Sequence, residues 1–121
     1  MDHLALAVTD RERSSRFYET YLGFEAEPAP RADGVLMLHN AAGFALALGE
    51  TDEPISVPEF LHFGAGLASA EDVRLFRDRL LSGGVDVVDW SDEPDYVSVK
   101  FRDPDGYVVE VSWETLPSPA S

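Results

Sequence analysis

Two histidines and one glutamate lie in short runs of alternating residues, the pattern that predicts β-strands. His3 opens the run HLALAV, His62 lies in LHFGAGLA, and Glu110 is central in GYVVEVSWE. In each run the polar residue shares its face with alanine, glycine or serine, whereas the opposite face carries large apolar side chains. Small side chains leave room for a ligand, so we expect these three residues to line a cavity.

Of these three residues, Glu110 is the one that most needs a partner. A buried carboxylate without a partner is costly or becomes protonated, and Glu110 lies among valines. Two neutral imidazoles and one ionised carboxylate on converging faces make a facial triad, which binds a divalent cation and leaves coordination positions open. The residues therefore predict a metal site formed by His3, His62 and Glu110, with Fe, Mn, Ni, Co or Zn as the ion.

The elements that position these residues occur twice in the same order, as a strand, a helix and three further strands. An offset of 59 residues pairs His3 with His62, and an offset of 63 pairs Gly43 with Gly106 at two hairpin turns. The change of offset is explained by about four residues inserted in the later loops. The sequence thus predicts an internal repeat of a βαβββ unit.

This repeat predicts one α+β domain in residues 1–114. Unit one covers residues 1–50, a linker with two prolines covers 51–59, and unit two covers 60–114. Residues 115–121 are expected to form a flexible tail.

Two helix starts and one loop are also predicted. Thr9 followed by Glu12 resembles a capping box at the start of the first helix, and Ser69 is the expected cap of the second. The acidic run DWSDEPD, residues 89–95, predicts a solvated loop.

The composition of the chain argues against several kinds of partner and of chemistry. The chain has 121 residues, 45% of them apolar, and no apolar run approaches the roughly 20 residues of a membrane span. A net charge of −14 disfavours nucleic acid and anionic membranes as partners. The absence of cysteine excludes disulfides, zinc–thiolate sites and thiol nucleophiles. No signal peptide is visible, so we expect a cytoplasmic protein.

The doubled unit and the segments HLALAV, LHFGAG and DPDGYVVEV resemble the vicinal oxygen chelate superfamily. This superfamily includes glyoxalase I, extradiol dioxygenases, fosfomycin-resistance transferases, methylmalonyl-CoA epimerase and bleomycin-resistance proteins. The resemblance implies two βαβββ units that form an eight-stranded half-open barrel, or cup. It also implies a divalent metal held by His3, His62 and Glu110, a small-molecule substrate, and a homodimer whose sites lie within one chain or between two.

One departure from the family pattern concerns the reaction. Glyoxalase I-like members have a second glutamate in the fourth strand of the first unit, and the 63-residue offset maps Glu110 onto Ala47. The resemblance therefore implies a metal-dependent enzyme on an oxygen-chelating substrate that is dioxygenase- or transferase-like more than glyoxalase I-like. One alternative is a bleomycin-resistance-type binding protein without catalysis. The other is a protein in which the site is a remnant and the fold is kept for a different function.

The resemblance also implies a substrate-contacting position ten residues before Glu110, where this chain has Lys100. Ser98 and Lys100 share one face of a predicted strand, so we expect both to contact substrate. Lys100 would hold a carboxylate, phosphonate or enolate beside the metal, the alternative being a solvated strand lysine. The sequence identifies no general base.

Overall fold

Two four-stranded sheets, each with one helix, make up the computed structural model, which describes residues 1–115. The chain divides into two compact units, Met1–Val57 and a second that starts at Pro58. The backbone N–H of Thr115 donates to the carbonyl of Asp95 at 3.0 Å. The rest of the predicted tail, 116–121, lies outside the described residues.

The first unit consists of β1 (His3–Val8), α1 (Arg11–Leu22), β2 (Glu25–Ala26), β3 (Leu36–His39) and β4 (Ala45–Glu50). Its strand order is β1-β4-β3-β2, in which β1 and β4 are parallel and the other pairs antiparallel.

The second unit consists of β5 (His62–Gly66), α2 (Ala70–Ser82), β6 (Val87–Glu93), β7 (Tyr96–Arg102) and β8 (Val108–Glu114). Its order is β5-β8-β7-β6, with β5 and β8 parallel and the other pairs antiparallel. The two topologies are the same, so the predicted α+β architecture of two βαβββ units is confirmed.

Of the two predicted helix N-caps, one is confirmed and one is wrong. Ser69 caps α2 by accepting a hydrogen bond from the backbone N–H of Asp72, as expected. The cap of α1 is Asp10 and not Thr9, because the Asp10 carboxylate accepts from the N–H groups of Glu12 and Arg13.

The acidic run does not form a loop along its whole length. Residues 89–93 belong to β6, which pairs with β7 and shifts register between Val87 and Asp89. Charged side chains suit this position because β6 is an edge strand, where one side of the ladder has no partner. Asp92 also forms a bidentate ion pair with Arg74 of α2.

Alternation along the strands decides which side chains face the helix. In the second unit α2 packs on β7 and β8, and Val97, Val99, Phe101, Val109 and Val111 are all at most 1% exposed. Burying such side chains contributes about 1.5–3 kcal/mol each. The polar residues of β7 and β8 therefore project from the opposite face of the sheet.

Strand register makes the two units directly comparable. Ala5 of β1 lies opposite Ala47 of β4, and Gly64 of β5 lies opposite Glu110 of β8. Ala47 thus occupies in the first unit the sheet position that Glu110 occupies in the second. Among residues 1–115, neither helix is long and apolar enough to cross a membrane.

Candidate functional site

Glu110 is held in place by two hydroxyl groups of the neighbouring strand. Its Oε2 accepts a hydrogen bond from the Tyr96 hydroxyl at 2.7 Å and another from Ser98 Oγ at 2.5 Å. Tyr96 and Ser98 alternate on one face of β7, and the next residue on that face, Lys100, pairs in register with Glu110. One carboxylate oxygen is thus fully engaged, and the other is left for a different partner.

These neighbours keep the glutamate ionised. Burial raises the pKa of Glu110, but the hydroxyls of Ser98 and Tyr96, with the charges of Lys100 and His62, outweigh burial. The net effect places the pKa of Glu110 below its ordinary value. The hydrogen bond with Ser98 lowers the pKa of Tyr96, but the hydrogen bond to Glu110, burial and the nearby negative charges together raise it. The Tyr96 hydroxyl therefore stays protonated and continues to donate.

His62 presents one ring nitrogen to the free oxygen of Glu110. Its Nε2 lies 3.5 Å from Glu110 Oε1, and its Nδ1 lies 2.9 Å from the backbone carbonyl oxygen of Phe60. A carbonyl oxygen can only accept a hydrogen bond, so Nδ1 must carry the proton. In the neutral ring Nε2 is then the lone-pair nitrogen, which is the form that binds a metal ion.

His3 shows the same arrangement in the first unit. Its Nδ1 donates to Asp2 Oδ1 at 2.6 Å, and the imidazole side chain is 73% exposed. A carboxylate that holds Nδ1–H is the usual partner of a metal-ligating histidine. Its Nε2 therefore also carries the lone pair when the ring is neutral.

The spacing of His62 Nε2 and Glu110 Oε1 fits two ligands of one divalent cation. Two ligand atoms bound at about 2.0–2.2 Å and at right angles are about 3 Å apart, close to the 3.5 Å between His62 Nε2 and Glu110 Oε1. In the part of the chain that the structure describes, no group of three or more His, Cys, Asp or Glu side chains is placed to hold a metal ion. The structure brings His62 and Glu110 together, and His3 belongs to the other unit.

The two predicted substrate contacts differ in their surroundings. Ser98 is 4% exposed and directs its hydroxyl at Glu110. The Lys100 side chain is 29% exposed, and its Nζ lies 3.8 Å from Asp89 Oδ2. Lys100 is accordingly the more accessible of the two to a ligand.

Sequence reasoning missed Tyr96, although the signal was present. Tyr96, Ser98 and Lys100 alternate along β7, so the assignment of a face to the last two also assigned Tyr96 to it. The contacts of Asp2 and Phe60 with the histidine rings had no comparable signal, because they depend on local backbone geometry.

Gly64 allows the backbone of β8 to approach β5 at Glu110. A Cβ on Gly64 would overlap the carbonyl oxygen of Glu110 and lie 2.9 Å from the carbonyl carbon. A close contact between two strands therefore requires glycine at this position.

Replacing Ser98 by alanine is expected to raise the pKa of Glu110 and to destabilise the protein by about 1–2 kcal/mol at pH 7. Because the folded-state pKa of Glu110 is lowered, the ionised carboxylate stabilises the fold above its ordinary pKa, and this contribution is lost as the pH falls through the folded value. The difference between wild type and variant should therefore shrink toward pH 4, as measured by urea unfolding at both pH values.

A matched control is Ser112→Ala on β8, whose hydroxyl makes no hydrogen bond with Glu110. This variant should show no pH-dependent loss of stability. Equal losses for Ser98→Ala at the two pH values would mean that its hydroxyl does not support the charged carboxylate.

The family comparison covers nearly the whole chain. Residues 1–111 match the family model described as Glyoxalase/Bleomycin resistance protein/Dioxygenase superfamily. No curated protein matches the sequence significantly.

Solved structures show the same fold. An integron cassette protein from the mobile metagenome of Halifax Harbour Sewage Outfall is 27% identical, with a TM-score of 0.75 over 93% of this chain and 97% of that one. A structure described as a possible glyoxalase from Bacillus cereus is 27% identical, with a TM-score of 0.76 over 92% and 96%. A mutant of the fosfomycin resistance protein FosX from Listeria monocytogenes, complexed with Mn(II) and 1S,2S-dihydroxypropylphosphonic acid, is 19% identical. Its TM-score is 0.80 over 96% of this chain and 90% of that chain, a likeness of fold.

Proposed function

The chain belongs to the glyoxalase/bleomycin resistance protein/dioxygenase superfamily, and from this membership we propose that it is a metal-dependent enzyme acting on a small oxygen-chelating substrate. One observation carries the proposal. His62 Nε2 faces Glu110 Oε1 at 3.5 Å, while the other polar atom of each side chain is bonded to the protein. The two remaining atoms therefore lie close enough together to bind one cation.

In this proposal His3, His62 and Glu110 hold the divalent ion, which is Fe, Mn, Ni, Co or Zn. When bound, the ion would supply a Lewis acid that polarises adjacent substrate oxygens. Tyr96 and Ser98 keep the Glu110 carboxylate oriented and ionised.

Lys100 adds a positive charge on the same face of the sheet as Glu110. A strand lysine at this position would bind an anionic oxygen of the substrate and orient it beside the metal. A carboxylate or phosphonate fits this role, and the FosX neighbour holds a phosphonic acid together with Mn(II).

The presence of alanine at position 47 is an argument against glyoxalase I-type isomerisation. The strand register places Ala47 where a fourth, acidic ligand would stand in the first unit. Three protein ligands leave more coordination positions open to substrate. We therefore favour a dioxygenase- or transferase-like reaction.

The proposal is tested by titrating untagged protein with Fe(II), Mn(II), Ni(II), Co(II) and Zn(II) in a calorimeter. A tag at the N-terminus would extend the strand that carries His3 and would add imidazoles. Wild type should bind at least one of these ions. His3→Ala should weaken binding about tenfold or more, because a ligand is lost.

The matched control is His39→Ala. His39 is the third histidine of the chain, and its Nε2 pairs with Glu27 on the surface of the first unit. This variant should bind the ion as tightly as wild type. No affinity of the wild type for any of the five ions would defeat the proposal.

A binding protein without catalysis is the second candidate, and one observation favours it. Glu110 is already stabilised by two hydroxyls and by the charge of Lys100, so its ionised form does not depend on a metal. In that case divalent ions would leave the melting temperature unchanged, whereas an organic ligand would raise it.

The homodimer implied by the family resemblance is part of the same proposal, with the cup closed within one chain or between two. Its test is the molar mass in solution by light scattering. A monomer at concentrations where the ion is bound would exclude a site shared between subunits.

A further inference from the structure

One row of side chains crosses the second sheet with charges of alternating sign. The strand register aligns Glu110 of β8 with Lys100 of β7, and Lys100 with Asp89 of β6. Register partners project from the same face of a sheet, so the lysine lies between two carboxylates. Glu110 belongs to the proposed metal site, whereas Asp89 has no part in it.

A β-bulge places Asp89 in this row. Val87 lies opposite Phe101 and Asp89 lies opposite Lys100, so β6 has one extra residue, Val88, at this point. If pairing continued from Val87 without the bulge, Val88 would lie opposite Lys100. Asp89 would then project from the face of the sheet that packs on α2. The irregularity of β6 is therefore what brings a second carboxylate to Lys100.

The Asp89 carboxylate is oriented toward the lysine. Its Oδ1 accepts a hydrogen bond from the backbone N–H of Trp90 at 3.0 Å, and its Oδ2 lies 3.8 Å from Lys100 Nζ. This distance allows an ion pair but is too long for a hydrogen bond. Within residues 1–115 the Lys100 ammonium donates no hydrogen bond, so its N–H groups are available to a ligand.

The charge of Asp89 acts on any anion that Lys100 binds. An oxygen hydrogen-bonded to Nζ at about 2.8 Å would lie within about 7 Å of Asp89 Oδ2. Salt screens charges only weakly over this distance, because the Debye length is about 8 Å at physiological ionic strength. The repulsion is proportional to the charge of the ligand, so Asp89 opposes a dianion twice as strongly as a monoanion.

We infer that Asp89 is a specificity-determining residue, which disfavours a second negative charge on the anionic group that Lys100 binds. The inference rests on the proposed function for the role of Lys100. It favours a carboxylate over a doubly ionised phosphonate as the anionic group of the substrate. It requires the charge of residue 89 and not the hydrogen bond to Trp90, since asparagine keeps an acceptor oxygen but removes the charge.

Two matched anions measure this selection. Sulfate carries two negative charges and methanesulfonate carries one, and both are compact groups with tetrahedral sulfur. Their dissociation constants are measured by calorimetry on protein loaded with the divalent ion that wild type binds. Asp89→Asn should tighten binding of methanesulfonate about threefold and of sulfate about tenfold. Asp89→Glu keeps the charge, so the ratio of its two constants should stay within about twofold of wild type.

The matched control is Glu93→Gln, which removes one negative charge from the same strand. Glu93 projects from the same face of β6, opposite Tyr96, at about 13 Å along the strand from Asp89. This variant should leave the ratio of the two dissociation constants unchanged. Equal tightening of both anions by Asp89→Asn would overturn the inference, and so would the same change of ratio in Glu93→Gln.

A measurement on metal-free protein separates this inference from the proposed function. Lys100 is the only lysine of the chain, so peptide mass spectrometry can locate its acylation. The N-hydroxysuccinimide ester of acetic acid is uncharged, and its sulfonated analogue carries one negative charge. The ratio of the two rates reports how readily an anion approaches Lys100, because a change in the amine itself affects both esters equally. Asp89→Asn should raise the relative rate of the charged ester about twofold or more, and Glu93→Gln should not.

The two proposals fail in different ways. A wild type without metal affinity, combined with the expected change of acylation ratio in Asp89→Asn, would contradict the proposed function and support the role of Asp89. A wild type that binds the ion, combined with an unchanged ratio in that variant, would support the function and contradict the role of Asp89.

Discussion

Glu110→Gln is expected to lower the affinity for divalent ions by about 100-fold or more while the fold is retained. Loss of a residue that only supports a ligand costs about 10–100-fold, and loss of a charged ligand should cost at least as much. Glutamine keeps the shape of the side chain, and its amide oxygen can still accept from Tyr96 and Ser98. The change therefore removes the negative charge with little disturbance of packing. Calorimetric titration gives the affinity, and circular dichroism checks the fold.

The matched control is Glu114→Gln, the same chemical change at the exposed end of the same strand. It should leave metal affinity unchanged. If Glu110→Gln binds as tightly as wild type, the carboxylate is not a ligand. The hydrogen bonds from Tyr96 and Ser98 would then be enough to explain why a carboxylate occurs at this position.

Gly64→Ala is expected to destabilise the protein by about 2–4 kcal/mol, because the new Cβ has no space. It would overlap the carbonyl oxygen of Glu110 and stand 3.2 Å from the Glu110 Cβ. These are atoms of a paired strand and not the end of a flexible side chain, so β5 and β8 would have to separate. Urea unfolding measures the loss, and a parallel fall in metal affinity would show that Glu110 has moved.

Gly66→Ala on the same strand is the control. Its Cβ would meet the carbonyl oxygen of Ser112 at 3.9 Å, which is an ordinary contact. Alanine also loses less conformational freedom on folding than glycine, so this variant should show no loss or a gain of up to about 1 kcal/mol. Equal losses of stability in the two variants would mean that any added side chain disturbs β5, and not the specific overlap at Gly64.

The architecture could be predicted because the same information occurs twice in the sequence. His3 and His62 each begin the first strand of a unit, and Gly43 and Gly106 both have a positive φ at equivalent turns. Alternation also assigned Ser98 and Lys100 to one face of a strand, since a strand side chain can project from only two faces, and the structure shows Glu110 on that face.

Local geometry limited what could be predicted about the site. The choice of Asp10 over Thr9 as a helix cap depends on a shift of one residue that both side chains would satisfy chemically. The positive φ of Phe60 contradicts the preference of its residue type, so no propensity argument could have found it. The close contact at Gly64 could not be predicted because alternation gives a direction but not a distance between strands.

The extent of β6 shows a different limit. The acidic run predicted a solvated loop in residues 89–95, yet pairing with β7 continues to Glu93. Hydrogen bonds to a partner strand outweigh weak local preferences, and a single sequence does not show that partner directly.

The correspondence between Ala47 and Glu110 has an evolutionary consequence. The two halves of a duplicated gene start with the same residues and then diverge, and here one half has an acidic group where the other has a methyl group. In the genetic code, changing the second base of any alanine codon from C to A gives a codon for aspartate or glutamate. A single mutation at codon 47 would therefore place a second acid at the equivalent point of the first sheet, on a strand that already has the same register as its counterpart in the second.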